Sequence, residues 1–147
     1  MGFFDDLKNR LSGLTEEFKK FKNKDILNSV MAACAYIAAA DGHIDPEEKR
    51  KMVGLVKNSP LISVYGADNA IKVFTEHADR FDFDFEIGKA EALRIISKYH
   101  GNSEIARLII RAAIMIGNSD GNFDENEKIA VRTIINELGE NPADFDL

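Results

Sequence analysis

The 147-residue sequence contains one cysteine, three histidines and three prolines. A lone thiol, Cys34, makes no intramolecular disulfide and builds no thiolate metal cage. His43, His77 and His100 are scattered, without the clustering that a zinc site requires. With so few prolines and ten glycines, long helices meet little interruption. Long apolar runs are absent too. The longest uncharged stretch, Ile26 to Ala40, includes Asn28 and Ser29, whereas a membrane-spanning helix needs about 20 apolar residues. The amino terminus carries Asp5 and Asp6 and lacks the apolar region of a secretory signal. Asp6 stands where a myristoylation motif at Gly2 takes Ser or Thr. A cytoplasmic location is expected. Basic charge is also short, with 19 Lys and Arg against 25 Asp and Glu and a net charge of −6, so a general nucleic-acid binder is excluded.

What remains is 45% hydrophobic and 30% charged, the composition of a folded chain able to bury one core. A single domain over 1–147 is expected, and its chemistry is mostly that of carboxylates. Apolar spacing reads as helix nearly throughout, predicting an all-α fold of about seven helices. Phe4, Leu7, Leu11, Leu14, Phe18 and Phe21 form a heptad stripe on an amphipathic amino-terminal helix over 3–22, within residues 1–23. Residues 1–24 hold six bases and four acids, net +2, leaving −8 on the rest. The stripe suits the body of the domain, a partner helix or peripheral docking at a membrane. Of the last two, Asp5, Asp6, Glu16 and Glu17 favour the partner helix.

Further helices are predicted over 24–40 (alanine-rich and central), from Pro46 to Asn58, and over 67–80, 85–99, 103–118 and 125–138. Their inward residues include Met52, Val53, Leu55, Val56, Ile71, Val73, Phe74, Ala78, Ile105, Leu108, Ile109, Ala112 and Met115. Phe145 is expected to dock the tail. His77 and His100 are assigned to helix ends or exposed faces, and Cys34 to the core. Only Phe81-Asp82-Phe83-Asp84-Phe85 alternates with period two, sending aromatics one way and acids the other, and an isolated run of five makes no sheet.

A repeat is the most informative feature. Residues 41–49 read DGHIDPEEK and residues 120–128, 79 positions later, read DGNFDENEK. Each copy joins an apolar helix to an amphipathic one, predicting two pseudo-symmetric helical units. Helix punctuation explains much of it. Gly42 and Gly121 take the left-handed position that ends a helix. Asp45 and Asp124 are N-caps, and Glu48 and Glu127 complete capping boxes. Ile44 and Phe123 turn inward. Capping leaves Asp41 and Asp120 unexplained, because each sits at the carboxyl end of a helix, where the dipole disfavours an anion by about 0.3–1 kcal/mol. A bound cation would remove that penalty.

The spacing D-G-x-hydrophobic-x-x-x-E matches the second half of an EF-hand loop. The first half is missing, since its first and third positions fall on Ile37 and Ala39 in one copy and on Ile116 and Asn118 in the other. A metal would therefore need oxygens from both copies, namely Asp41, Asp45, Glu48, Asp120, Asp124 and Glu127, or from elsewhere. Asp82, Asp84 and Glu86 are the further candidates, with Asp84 otherwise a helix cap. All-oxygen ligands point to calcium, magnesium or manganese.

MGFFDDLKNRL, the KNK before the alanine-rich helix, DGHIDPEEKRKM, FDFDFEIGKAE and SDGNFDENEKIAVR follow one another over nearly the full length. In this the chain resembles the tellurite-resistance protein TerB family. The resemblance implies about seven helices in two inverted units, a cytoplasmic role in bacterial stress resistance and no established enzymatic activity. It also implies a divalent cation held by acids of the DG loops, and partners among other Ter-type proteins, membrane-embedded and calcium-binding ones included. Carried over, the acids are Asp41, Glu48, Asp120 and Glu127, with Asp45 and Asp124 beside them. His43 and Asn122 differ after each glycine, so the two loops need not bind equally. A purely structural helical adaptor is the alternative, and a carboxylate metal-dependent hydrolase a more distant one, lacking any general base beyond the acids themselves.

Overall fold

A computed structural model of the chain describes residues 16, 19, 23–42, 44, 46–58, 60–117 and 124–147, with the side chains of 48, 60, 61, 116 and 117 outside the description. The described residues form six helices and no strand, with one extra α-helical turn and two short 3-10 segments. We number the helices α1 (Lys24–Ala38), α2 (Pro46–Asn58), α3 (Ala67–Phe83), α4 (Phe85–Ile96), α5 (Ser103–Gly117) and α6 (Glu125–Glu137). The extra turn is Pro60–Ser63, and the 3-10 segments are Ser97–Tyr99 and Pro142–Phe145. The expected amino-terminal helix lies outside the described residues apart from Glu16 and Lys19, which form an ion pair at 3.1 Å.

Helix α1 is the central element. Asn23 starts it, its side chain accepting from the amides of Asp25 at 2.7 Å and Ile26 at 3.2 Å. Every residue from Ile26 to Ile37 is buried except Asn28, since small Ala32, Ala33 and Ala35 let neighbours approach on all sides. It packs most extensively on α5 and next on α3 and α4. α1 also touches α6 while α2 touches α5, reciprocal contacts that relate the units α1–α2 and α5–α6.

Helices α3 and α4 lie between the two units in the chain and cover α1. α3 runs three residues beyond the expected end, and this breaks the period-two reading of the FDFDF stretch. Residues two apart on a helix face nearly opposite sides, so Phe81 is buried while Phe83 is 82% exposed. Phe81 stacks on Tyr36 at 5.9 Å, and Phe85 meets both rings edge-on or tilted at 6.3 and 5.7 Å. These aromatics fix the α3–α4 corner against the last turn of α1.

His77 is the second correction. It lies on the buried stripe Ala70, Phe74, His77, Ala78, Phe81, not on an exposed face. Val53, Leu55, Ile71, Val73, Ile105 and Met115, expected inward, are only half-buried at the edge of the core. At the carboxyl end, Gly139 (φ +77°) closes α6, with its amide donating to Asn136 O and that of Glu140 to Ile135 O, both at 3.0 Å. Phe145 docks as expected, 3% exposed. Arg107 secures the tail by bonding Glu140 at 2.8 Å and Asp144 at 2.9 Å.

Candidate cation-binding loops

The first loop begins where α1 ends. Gly42 takes φ +111° and its amide donates to Ala39 O at 2.8 Å, which is the stop expected of that glycine. Ile44 then turns into the core, 5% exposed, and Pro46 opens α2. Asp41 is exposed at the carboxyl end of α1 and forms no ion pair with any described residue. Asp45 and the side chain of Glu48 lie outside the described residues, so the expected cap there stays an expectation.

In the second loop the described part is its exit. Asp124 Oδ1 accepts from the Glu127 amide at 2.8 Å, and Glu127 Oε1 accepts from the Asp124 amide at 3.1 Å. This reciprocal capping box sets both acids at the positive end of α6. Asp120, with Gly121 and Phe123, lies outside the described residues.

The third acidic stretch sits at the same end of α1 as the first loop. Lys49, at the start of α2, reaches Asp79 at 2.6 Å and Asp82 at 3.9 Å. Asp84 caps α4, accepting from the Ile87 amide at 3.0 Å. Glu86 is exposed in the first turn of α4. Asp82 thus has a lysine beside it and Asp84 is engaged by the backbone. Among the described residues, no three His, Cys, Asp or Glu side chains are grouped to hold a metal. The donor set nonetheless fits a hard cation: Asp41 and Asp124 are exposed carboxylates, and the capping box occupies only Oδ1 of the latter.

A buried polar chain packs against the first half of α1 and was missed in the sequence, although the spacing from Ala70 to Phe81 points to it. His77 Nδ1 accepts from Arg80 at 3.2 Å, which leaves Nε2–H to donate to Asn28 Oδ1 at 2.7 Å. Burial chiefly, and then the Arg80 charge, lower the His77 pKa to about 4 against a smaller opposing pull from Glu91. Cys34 is fully buried and its thiol is pushed up to about 12 by desolvation, so it packs as a small hydrophobe.

The family model for tellurite resistance protein TerB matches residues 28–147. A tellurium resistance protein TerB from Alcaligenes sp is 36% identical over 118 residues, covering 78% of this chain and 97% of that relative. No solved structure gives a significant match. Among the described residues, no helix is long and apolar enough to cross a membrane.

Proposed function

The chain belongs to the tellurite-resistance TerB family, and from that premise we propose that it is a non-enzymatic cytoplasmic module that binds a divalent cation through its two DG loops. The cation is one of calcium, magnesium or manganese. Asp41 and Asp120 supply the charge that attracts it, with Asp45, Glu48, Asp124 and Glu127 as the neighbouring oxygens. Bound there, it braces the two helical units and couples their arrangement to ion level. Other Ter-type proteins, some of them membrane-embedded, are the partners this reading implies.

The observation that carries the proposal is Asp41. It is an exposed carboxylate at the negative end of a helix with no described cation beside it. The other described candidate ligands of the loops, Asp124 and Glu127, have a structural task that explains them. Titration calorimetry with each of the three ions tests the reading on the full chain and on Asp41→Asn/Asp120→Asn. The double variant should lose the binding heat, and binding that persists unchanged eliminates the DG-loop site.

The capping box at Asp124 and Glu127 favours a second reading, a helical adaptor whose loops are only turns. A cation bound only by the folded state must raise its stability. A melting temperature indifferent to chelator and to all three ions therefore selects the adaptor.

A further inference from the structure

Among the described residues, the exposed large hydrophobics are Phe83 at 82%, Ile87 and Ile129, and the first two share the α3–α4 corner. Isolated apolar residues on a surface are ordinary. Here two of them stand on either side of one N-cap, Asp84, each within a turn of it. Ala90, one turn beyond Ile87, is exposed as well.

The corner beneath them is rigid. The Asp84 amide donates to Arg80 O at 3.0 Å and the Gly88 amide to Asp84 O at 2.9 Å, so α3 passes into α4 without a free linker. Gly88 lies so near the end of α3 that a Cβ on it would come 2.8 Å from Phe81 Cα. Phe81 and Phe85 pack together against Tyr36. Phe83 is therefore a large ring standing in water on a backbone fixed by its neighbours. Such a ring has only two side-chain torsions to lose when a partner covers it, which suits an interface anchor.

Charge selects the partner. Asp82 and Asp84 adjoin Phe83, Glu86 adjoins Ile87, and Asp79 lies one turn before Phe83, all four exposed. The bases nearby are Lys49, held between Asp79 and Asp82, and Arg80, which donates to His77 Nδ1. Lys89 is two residues beyond Ile87 and so lies on a different side of α4. Four acids against two engaged bases leave the corner negative. A second copy docked across a two-fold axis would set Asp82, Asp84 and Glu86 against themselves. An anionic lipid surface would be repelled in the same way, whereas a surface with basic flanks is attracted.

We propose that the α3–α4 corner is a docking surface for an amphipathic helix of another protein. Its apolar seam takes Phe83 and Ile87, and its flanking Lys or Arg residues face Asp82, Asp84 and Glu86. A protruding ring fits between four side chains on the apolar face of a helix, as a knob in a hole, and the acids around it fix the register. None of these residues is among the six acids assigned to the cation above, so the surface stands apart from that reading.

Fluorescence anisotropy of a labelled synthetic helix made only of leucine and lysine, with leucine at heptad spacing, tests it on the full chain. Physiological salt and a chelator keep diffuse charge and the DG loops out of the measurement. Binding should saturate, and Phe83→Ser should weaken it by about tenfold, the loss expected of a central anchor. Glu86→Lys should weaken it by about threefold and should improve binding of a helix with glutamate in place of lysine. Ile129→Ser, at an exposed apolar position on α6, should leave it unchanged. Unaltered circular dichroism verifies that each variant is folded. No saturable binding, equal binding of the glutamate helix by the unaltered chain, or a loss that Ile129→Ser reproduces overturns the proposal. So does any other occupant, seen as a dimer in sedimentation velocity or as co-sedimentation with phosphatidylglycerol vesicles that Phe83→Ser abolishes. A gain in peptide affinity on Leu7→Gln/Leu11→Gln would give the surface to the chain's own amino-terminal stripe, and overturns it too.

Discussion

The two helix–loop–helix units share a loop sequence and differ in what covers their first helix. In the 79-residue register, Asn28 and Ala32 of α1 correspond to Arg107 and Arg111 of α5. Ala32 is fully buried, and Asn28 accepts a hydrogen bond from His77 of α3. Arg107, by contrast, is half-exposed and bonds the carboxylates of Glu140 and Asp144, which follow α6. The first unit is followed by the α3–α4 cover, and α6 by the segment that carries Glu140 and Asp144. The segment that succeeds each unit in the chain thus decides whether an equivalent helix face is apolar or charged. A repeated loop does not impose a repeated environment.

Exchanging the two faces breaks the comparison most severely. Ala32→Arg places an unpaired charge where nothing solvates it, at a cost of several kcal/mol, comparable with the whole stability of a domain of roughly 5–15 kcal/mol. Loss of cooperative unfolding by circular dichroism is the expected outcome. Arg111→Ala, at the equivalent half-buried position, should cost under about 1 kcal/mol. Similar losses at both sites would show that the two faces are alike after all.

The α3–α4 cover also carries a buried histidine, and so a pH signature the second unit lacks. Its folded pKa is depressed from 6.5 to about 4, so the unfolded chain takes up the proton first as pH falls. Stability from this group is fully present above about pH 6.5 and declines down to about pH 4, by about 3 kcal/mol in all. Urea unfolding at steps through that window should show the slope. His77→Gln should flatten it between pH 6.5 and 5, above the range where Glu91 begins to lose its interaction with Arg94, its carboxyl being held below its usual value chiefly by that hydrogen bond. An unchanged slope in that variant would remove His77 as its source.

A smaller effect separates two glycines in helices. A Cβ on Gly88 in α4 would lie 2.8 Å from Phe81 Cα and 2.7 Å from Phe81 Cγ, whereas one on Gly54 in α2 meets nothing within 4 Å. Backbone cannot retreat from the first clash, so Gly88→Ala should destabilise by about 1–2 kcal/mol even after the gain in helix propensity. Gly54→Ala should stabilise by up to about 1 kcal/mol. Thermal melts of the pair read the contrast directly, and stabilisation by both would mean that the α3–α4 corner yields easily.

These contrasts also mark how far sequence patterns reach. Helix content, the Gly42 and Gly139 stops, the Asp84 cap and the Asp124–Glu127 box were all readable, because each depends on neighbours three or four positions away. The burial of His77, the close approach of Gly88 to Phe81 and the Arg107 clamp depend on partners brought together only by the tertiary fold. The FDFDF stretch misled because a local alternation was weighed above the helix entering it. For the candidate site, residue types and spacing were legible. Distances between the two loops are not a local property, and Asp45, Asp120 and the Glu48 side chain lie outside the described residues.

The smallest expected effect bears most directly on function. In metal-free buffer, Asp41 opposes the dipole at the carboxyl end of α1 with no described cation to offset it. Asp41→Asn should then stabilise the fold by about 0.3–1 kcal/mol, since it removes the charge and keeps a side chain of similar shape. Asp120→Asn, its counterpart in the repeat, should do the same. Under saturating calcium, magnesium or manganese, the sign should invert for the ion that binds, because the variants lose a ligand that stabilises only the folded state. Chemical denaturation of the two variants with and without each ion measures both signs. If inversion occurs at Asp41 alone, the loops share a sequence but only the first holds the ion. If Asn stabilises both positions equally in every ion, helix electrostatics accounts for the two aspartates and no cation is needed.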